Sequence, residues 1–408
     1  MNCGGQQRTG CGGASRRRRV AALLLVGLTA CSSARADLPA AQPGTTRPPS
    51  TTTADVSAPT AAPDTSAVPT TTSTTTTSTT SSTAPPTTTA TRPVTLDPAT
   101  GRVLLPTVNG AFAAIAGGNA AASITIIRDH AVIYARASGA TLGGQPVSPD
   151  TPLVLASVSK LVTALTVARL AERGDIDVSA PVPWDRMFVQ HDPSWDDVTV
   201  RELLDHTSGM PKAQRSWLDD PGSCAIPLTA ALTTPPRVTR GTWTYSNGNY
   251  CALGLLIEAV TGTPRGAAAQ ALVFGPIGVK GPHLTTDQPA PTDGPYALGV
   301  ARLERLGGAG TWMASTDDMA RMLDSVTAAD LTTLRPPGII SDQYGWGHTG
   351  TVDGAKSCAW VMEQGRTVVV ATVSGNGPSS GGKVCDLVIP AIATDLGFWA
   401  DRPIRLPN

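Results

Sequence analysis

Between Ala36 and about Thr95 the chain has almost no large apolar residue and runs in threonine, proline, serine and alanine, as in TTTSTTTTSTTSSTAPPTTT. Such a stretch cannot bury enough surface to offset the entropy of ordering its backbone, so no core can include it. The sequence therefore predicts a disordered stalk over residues 31–101 and confines packed structure to a globular domain over 102–408. As a flexible coil of about sixty residues the stalk reaches roughly 40 Å, and further where proline or O-linked sugar stiffens it. The chain as a whole is 41% hydrophobic over 408 residues. Since the stalk contributes little of that, the rest has material for a large core.

Ahead of the stalk, Arg16, Arg17, Arg18 and Arg19 precede the apolar run VAALLLVGLTA, too short for a stable bilayer-spanning helix and of the length of a secretory h-region. The following Leu28-Thr29-Ala30-Cys31 resembles a bacterial lipobox. The expectation is a signal peptide over residues 1–30, a lipid on Cys31, and a domain tethered on the extracytoplasmic side of the cell membrane, within reach of the cell wall. Formal net charge is zero, from 31 basic and 31 acidic residues, which gives no bulk attraction for nucleic acid. Four cysteines remain after Cys3, Cys11 and Cys31 are set aside: Cys224, Cys251, Cys358 and Cys385. Outside the cytoplasm an even set reads as disulfides with three possible connectivities. Proximity in sequence favours Cys224 with Cys251 and Cys358 with Cys385. There is no C-x-x-C, and His130, His191, His206, His283 and His348 lack ligand spacing, so neither a metal nor a cofactor is expected.

In the globular part LPTVNGAFAAIAG predicts a first helix, and AASITIIRDHAVIYARASG predicts two strands about an Arg128-Asp129-His130 turn. Residues from Ser157 to Arg173 read as a helix closed by Gly174. Residues 185–290 are turn-rich with short helical stretches. AWVMEQG and RTVVVATVSG predict a hairpin, and VCDLVIPAIATDLGFWA a terminal helix. Together these predict an α+β fold: an antiparallel sheet flanked by N- and C-terminal helices, plus a mainly helical lobe at about 185–290.

Within ASVSKLVTAL, Lys160 is one of only five lysines. It follows Ser157 by three positions, which puts both on one helical face. Alone the pair is a weak signal, because serines near helix starts are commonly caps and lysines are commonly solvated. Two further polar motifs strengthen it: Tyr245-Ser246-Asn247 before NYCALGLLIEAV, and His348-Thr349-Gly350-Thr351 before the Cys358 strand. Three motifs in this order, roughly ninety to a hundred residues apart, are far more specific than any one.

The set resembles the serine β-lactamase-related hydrolases, specifically the class C β-lactamase, D-alanyl-D-alanine carboxypeptidase and esterase branch, with its Ser-x-x-Lys, Tyr-x-Asn and Lys/His-Thr-Gly elements. TPLVLASVSKLVTAL, RLAERGDIDVSAPV, VTVRELLDHTSGMP, YSNGNYCALGLLIEAVTG and GGAGTWMASTDDMARML are similar to the same family. The resemblance implies a penicillin-binding-protein-like fold and an acyl-enzyme on Ser157, with Lys160 or Tyr245 as base. It further implies that Asn247 bonds the substrate amide, and that the backbone N–H groups of Ser157 and Thr351 form the oxyanion hole. Thr349, Gly350 and Thr351 would hold a substrate carboxylate or carbonyl.

His348 stands where many relatives carry lysine, and histidine titrates near neutrality. If it acts as a cation, activity falls as pH rises through neutrality. The short YGWGHTG leaves little room for a longer strand before the third motif, and the nearest upstream arginine is Arg335. The leading expectation is a carboxypeptidase-like, penicillin-binding enzyme acting on peptidoglycan-type peptides. The alternatives are an esterase or β-lactamase of the same fold, with a small ester or β-lactam substrate, and a non-catalytic cell-wall-binding module. His206 reads as a structural histidine, and Trp243, Trp312 and Trp346 as cleft or packing residues.

Overall fold

Three strand sequences are almost wholly buried: AASITIIR, AKSCAWVM and TVVVATVS. A strand covered on both faces needs apolar or satisfied polar side chains at every position, and these sequences comply. The structure is a computed structural model that describes residues 103–212, 215–219, 222–285, 289–296, 300–334, 339–342 and 345–398. The expected signal segment, Cys31, the stalk and Arg335 lie outside the described residues.

The strands form a six-stranded antiparallel sheet in the spatial order Ala131–Gly139, Ala121–Arg128, Thr367–Ser374, Ala355–Met362, Gly345–Val352, Ile340–Asp342. Both outer hairpin arms therefore come from distant parts of the chain. The turn between the first two strands places Asp129 and His130 at φ of 49° and 64°, the left-handed pair that matches strand twist in a two-residue hairpin.

Alternation sorts the side chains into two layers. Ile124, Ile126, Trp360, Val369 and Ala371 face the terminal helices Pro106–Ala116 and Gly381–Leu396, and pack with Phe112, Ile115, Val388 and Ile392. Asp395 of the second helix accepts from the N–H groups of Thr107 and Val108, at 3.2 and 2.9 Å. It thereby satisfies two orphan donors at the start of the first helix. A disulfide between Cys358 and Cys385 ties the strand Ala355–Met362 to the C-terminal helix. On the other face Ala359, Val361, Val368 and Val370 pack with Val158, Val162 and Met319 in the larger core. Ser123 and Thr125 point to that side and hydrogen-bond the Thr316 hydroxyl at 2.7 and 3.0 Å.

The remainder is mainly helical, including Val200–Leu204, Ala225–Leu232, Asn247–Thr261 and Arg265–Ala269, with a second disulfide joining Cys224 to Cys251. The expected helix from Ser157 divides in two: a 3₁₀ turn over Ala156–Val158, then an α-helix over Ser159–Glu172, closed near Gly174 at φ +76°. The third motif precedes the Cys358 strand, as expected, and itself lies in a strand, Gly345–Val352. Glycine is the reason: a Cβ at Gly345 or Gly347 would sit 2.0 Å from the carbonyl oxygen of Val361 or Ala359, so only glycines allow this close pairing.

Each disulfide spans 27 residues, for which loop-closure entropy gives roughly 3–4 kcal/mol. Replacing Cys358 and Cys385 together by alanine is expected to lower unfolding stability by about that amount, read from urea midpoints at unchanged m-value. A loss below about 1 kcal/mol would show that the helix is held by packing alone.

Candidate active site

Ser157 enters the site from a constrained backbone. The strand Leu153–Val154 pairs with Trp312–Ala314, and Leu155 N–H donates to Trp312 O at 3.0 Å. Ala156 then takes a φ of +48°, a conformation that costs a non-glycine residue about 1–2 kcal/mol. The sheet holds it there. The Ser357 hydroxyl donates to Leu155 O at 2.5 Å, and Gly350 is so close that a Cβ on it would meet Leu155 O at 2.3 Å and Ala156 Cβ at 3.1 Å. The Gly350 strand is thus pressed against the turn that carries Ser157.

Lys160 is 1% exposed. Its Nζ lies 2.8 Å from Asn247 Oδ1, 2.9 Å from Ala309 O and 3.3 Å from Ser157 Oγ, and 4.9 and 5.6 Å from the ring centres of Tyr245 and Tyr250. These partners are neutral oxygens and ring faces. Burial without a carboxylate drives the Lys160 pKa well below the usual lysine range. A neutral amine has two N–H bonds and one lone pair. The two shorter contacts are to acceptors that have no proton to give, so they take the N–H bonds and leave the lone pair for the Ser157 hydroxyl.

Tyr245 donates its O–H to Ser157 Oγ at 2.9 Å. Burial raises its pKa above the ordinary phenol value, which keeps it protonated. Ser246 caps the helix Asn247–Thr261 by accepting from Gly248 N–H at 3.2 Å, which sets Asn247 in the first turn. His206 supports the same segment: its Nδ1 accepts from Ser246 N–H at 3.3 Å and from the Asn249 amide at 3.0 Å, and its ring lies 4.8 Å from that of Tyr245. Asn249 is fixed in turn by the Ser208 hydroxyl at 2.6 Å.

The surroundings of His348 argue against a cationic role. Its Nδ1 donates to Thr349 O at 2.6 Å, its ring lies 6.0 Å from Tyr245, and it is buried. Burial, followed by the charge that Lys160 carries once protonated at acid pH, pulls its pKa down to about 3. At neutral pH it is an uncharged imidazole, with its Nε2 unpartnered. Pairing of Gly350 with Ser357 and of Thr349 with Cys358 puts His348 and Gly350 on the face of the serine turn. The Thr351 hydroxyl oxygen accepts from Gly381 N–H at 2.9 Å, on the side of the C-terminal helix.

Ser157, Lys160, Tyr245, Asn247 and the His348–Thr351 strand therefore meet in one place. Reasoning from sequence missed the Ala309 carbonyl, the Tyr250 ring, and the Asn249–Ser208 support. The glycines of GGAG and the second Asn-Tyr of YSNGNY were the available signals.

A protein-family comparison agrees with this geometry: the family described as Beta-lactamase matches residues 108–393. The chain belongs to the β-lactamase family. It has the β-lactamase fold. Esterase EstB of Burkholderia gladioli is similar at 30% identity over 201 residues, covering 43% of this chain and 50% of the esterase. The putative penicillin-binding protein PbpX of Bacillus subtilis is similar at 27% identity, covering 32% of each chain. The chain thus spans half or less of these relatives. Among solved structures, a D-amino acid amidase from Ochrobactrum anthropi SV3 superposes with a TM-score of 0.59 at 19% identity, over 70% of this chain and 99% of the amidase. A D-stereospecific amidohydrolase from Streptomyces sp. gives 0.57 at 22% identity, over 69% and 96%. These two likenesses establish the fold.

Two outcomes are expected. Because His348 stays neutral above about pH 3, the pH–rate profiles of the native protein and of His348→Gln should share their shape between about pH 5 and pH 8. A neutral-pH decline present only in the native protein would restore the cationic role. Gly350→Ala should inactivate the site by displacing Leu155 and Ala156, read as at least a roughly hundredfold fall in kcat with the far-UV spectrum kept.

Proposed function

We propose that this β-lactamase-family protein is an acyl-transfer hydrolase of uncharged ester or amide substrates, with Ser157 as nucleophile and Lys160 as its base. The observation that carries the reading is the disposition of Lys160, whose lone pair is left for the Ser157 hydroxyl. Ser157 Oγ attacks the substrate carbonyl carbon as its proton passes to Lys160 Nζ, giving a tetrahedral oxyanion. Collapse breaks the bond to the leaving group. The leaving group takes a proton through the Tyr245 hydroxyl, which Lys160 resupplies. Water then repeats the sequence on the acyl-serine, releasing the acid and restoring the serine. Tyr245, kept protonated by burial, serves as a proton relay rather than as the base. The backbone N–H groups of Ser157 and Thr351 are the proposed oxyanion donors, and Asn247 and the backbone of Thr349 and Gly350 orient the substrate.

The preference for an uncharged acyl group comes from His348. A lysine there would present a permanent cation to a carboxylate, whereas this imidazole is neutral and donates Nδ1–H to Thr349 O. Its free nitrogen is an acceptor, which disfavours a carboxylate. The similarity to an esterase supports the same reading. Kinship with penicillin-binding proteins favours a second one, a carboxypeptidase on cell-wall peptides. For either substrate class we place the domain outside the membrane on its stalk, anchored by lipid on Cys31. This placement rests on the arginine block, the apolar run and the small-residue approach to that cysteine.

The test compares a p-nitrophenyl ester, a neutral D-amino acid amide, an acyl-D-alanyl-D-alanine peptide and a fluorescent penicillin on the native protein and on Ser157→Ala. Rapid Ser157-dependent turnover of the ester or amide over the peptide is expected, with kcat lowered at least about a thousandfold in Ser157→Ala and similarly in Lys160→Met. Preference for the peptide would select the carboxypeptidase. No serine-dependent signal with any probe would leave only a binding module. The rate should rise with pH through the depressed Lys160 pKa, since only the neutral amine accepts the proton. Cys31→Ala should move the protein from the membrane to the soluble fraction.

A further inference from the structure

A cavity of about 300 Å³ lies outside the reaction site, lined among others by Cys224, Cys251, Glu258, Arg265, Thr285 and Glu304. That volume is at the lower end for small-molecule sites. Two of its donors are buried without partners among the described residues: the Thr285 hydroxyl, on a residue 4% exposed, and Arg265 Nε. The rest of the wall is well satisfied. Arg265 Nη1 donates to Glu258 at 2.9 Å, Thr285 N–H to Thr311 O at 2.8 Å, and the Thr311 hydroxyl to Gly307 O at 2.9 Å. Buried donors with no acceptor are costly, and a ligand oxygen is what would relieve them. Glu304, exposed on the same lining, adds a carboxylate suited to a cation.

We propose that this cavity is a second ligand site for a small zwitterion of the amino-acid class. Its carboxylate is taken by Arg265 Nε–H and the Thr285 hydroxyl, and its ammonium group by Glu304. The site lies behind the reaction centre, on the same turn. The segment Glu304–Ala309 lines the cavity through Glu304, Gly307 and Gly308. On its inner side Gly308 O accepts from the Thr163 hydroxyl at 2.7 Å and Ala309 O accepts from Lys160 at 2.9 Å. The turn has little slack. Gly307 has φ +50°, and a Cβ there would lie 2.3 Å from Cys224 Sγ, while a Cβ on Gly308 would lie 2.5 Å from Tyr250 O. A ligand that draws on Glu304 is therefore felt at the carbonyl that holds Lys160. The binding half of this proposal is independent of the catalytic reading, and the coupling half rests on the role given to Lys160.

The experiment is calorimetric titration of the full-length protein with glycine, L-alanine and L-lysine, using acetate and methylammonium as half-ligand controls. Binding of an amino acid is expected, with each half-ligand much weaker. Affinity should be unchanged in Ser157→Ala, and reduced at least about fivefold in Thr285→Val and in Glu304→Gln. Arg265→Lys, which retains a cation for Glu258 but lacks the Nε donor, should behave likewise. No binding by any amino acid, or binding that Thr285→Val and Glu304→Gln leave intact, overturns the site. Ester turnover is then followed against pH with and without the bound amino acid. A displaced acid limb supports the coupling and an unmoved one overturns it, while absence of turnover defeats the catalytic reading and leaves the calorimetry standing.

Discussion

A lysine amine taken out of water and given no counter-charge is the condition on which the rest of this site depends. Transfer of an ammonium into a dry interior is unfavourable enough that the group gives up its proton instead. Lys160 is held so by Asn247 and Ala309, whose oxygens occupy its N–H bonds, and by the rings of Tyr245 and Tyr250. A single carboxylate among these neighbours would restore the charge. The aromatic faces exclude water while offering only weak attraction to a cation.

The fold supplies that enclosure by bringing three segments to the start of one helix. The sheet strand with Gly350 closes on Leu155 and Ala156, the helix beginning at Asn247 brings an amide and a phenol, and the turn ending at Ala309 brings a carbonyl. Glycine recurs at the points of closest approach, at 308, 347 and 350, because each of these backbones runs against another. The two disulfides brace different parts of the assembly, one between sheet and terminal helix, the other beside the Ala309 turn. Electrostatics follow from the same closure, and His348, which in isolation titrates near neutrality, is neutral here for the reason that Lys160 is.

Much of this was legible from the chain. Short apolar and β-branched runs bounded by turn residues gave the strands from Ala121 to Gly139 and the hairpin through Ala359 and Val370, because strand preference and turn chemistry are local properties of the sequence. The Ser157–Lys160 proximity followed from helical spacing, and it survives although the first turn is 3₁₀, since residues three apart still face together. The Tyr-x-Asn and His-Thr-Gly segments were recognisable as family motifs. The extent of the strand Gly345–Val352 was not, because Gly345 and Gly347 read as turn residues until the close approach of Val361 O and Ala359 O is known. Nor was the Ala309 carbonyl legible, for a backbone oxygen carries no residue signature.

By itself, then, the sequence determined where no core can form, which segments are strand or helix, and that one serine and one lysine share a face. Tertiary structure alone decided the protonation states. Lys160 meets Asn247 across 87 residues and Ala309 across 149, and the burial of His348 is likewise a sum over elements far apart in the chain. Desolvation depends on everything that displaces water around an atom, and no local pattern records it.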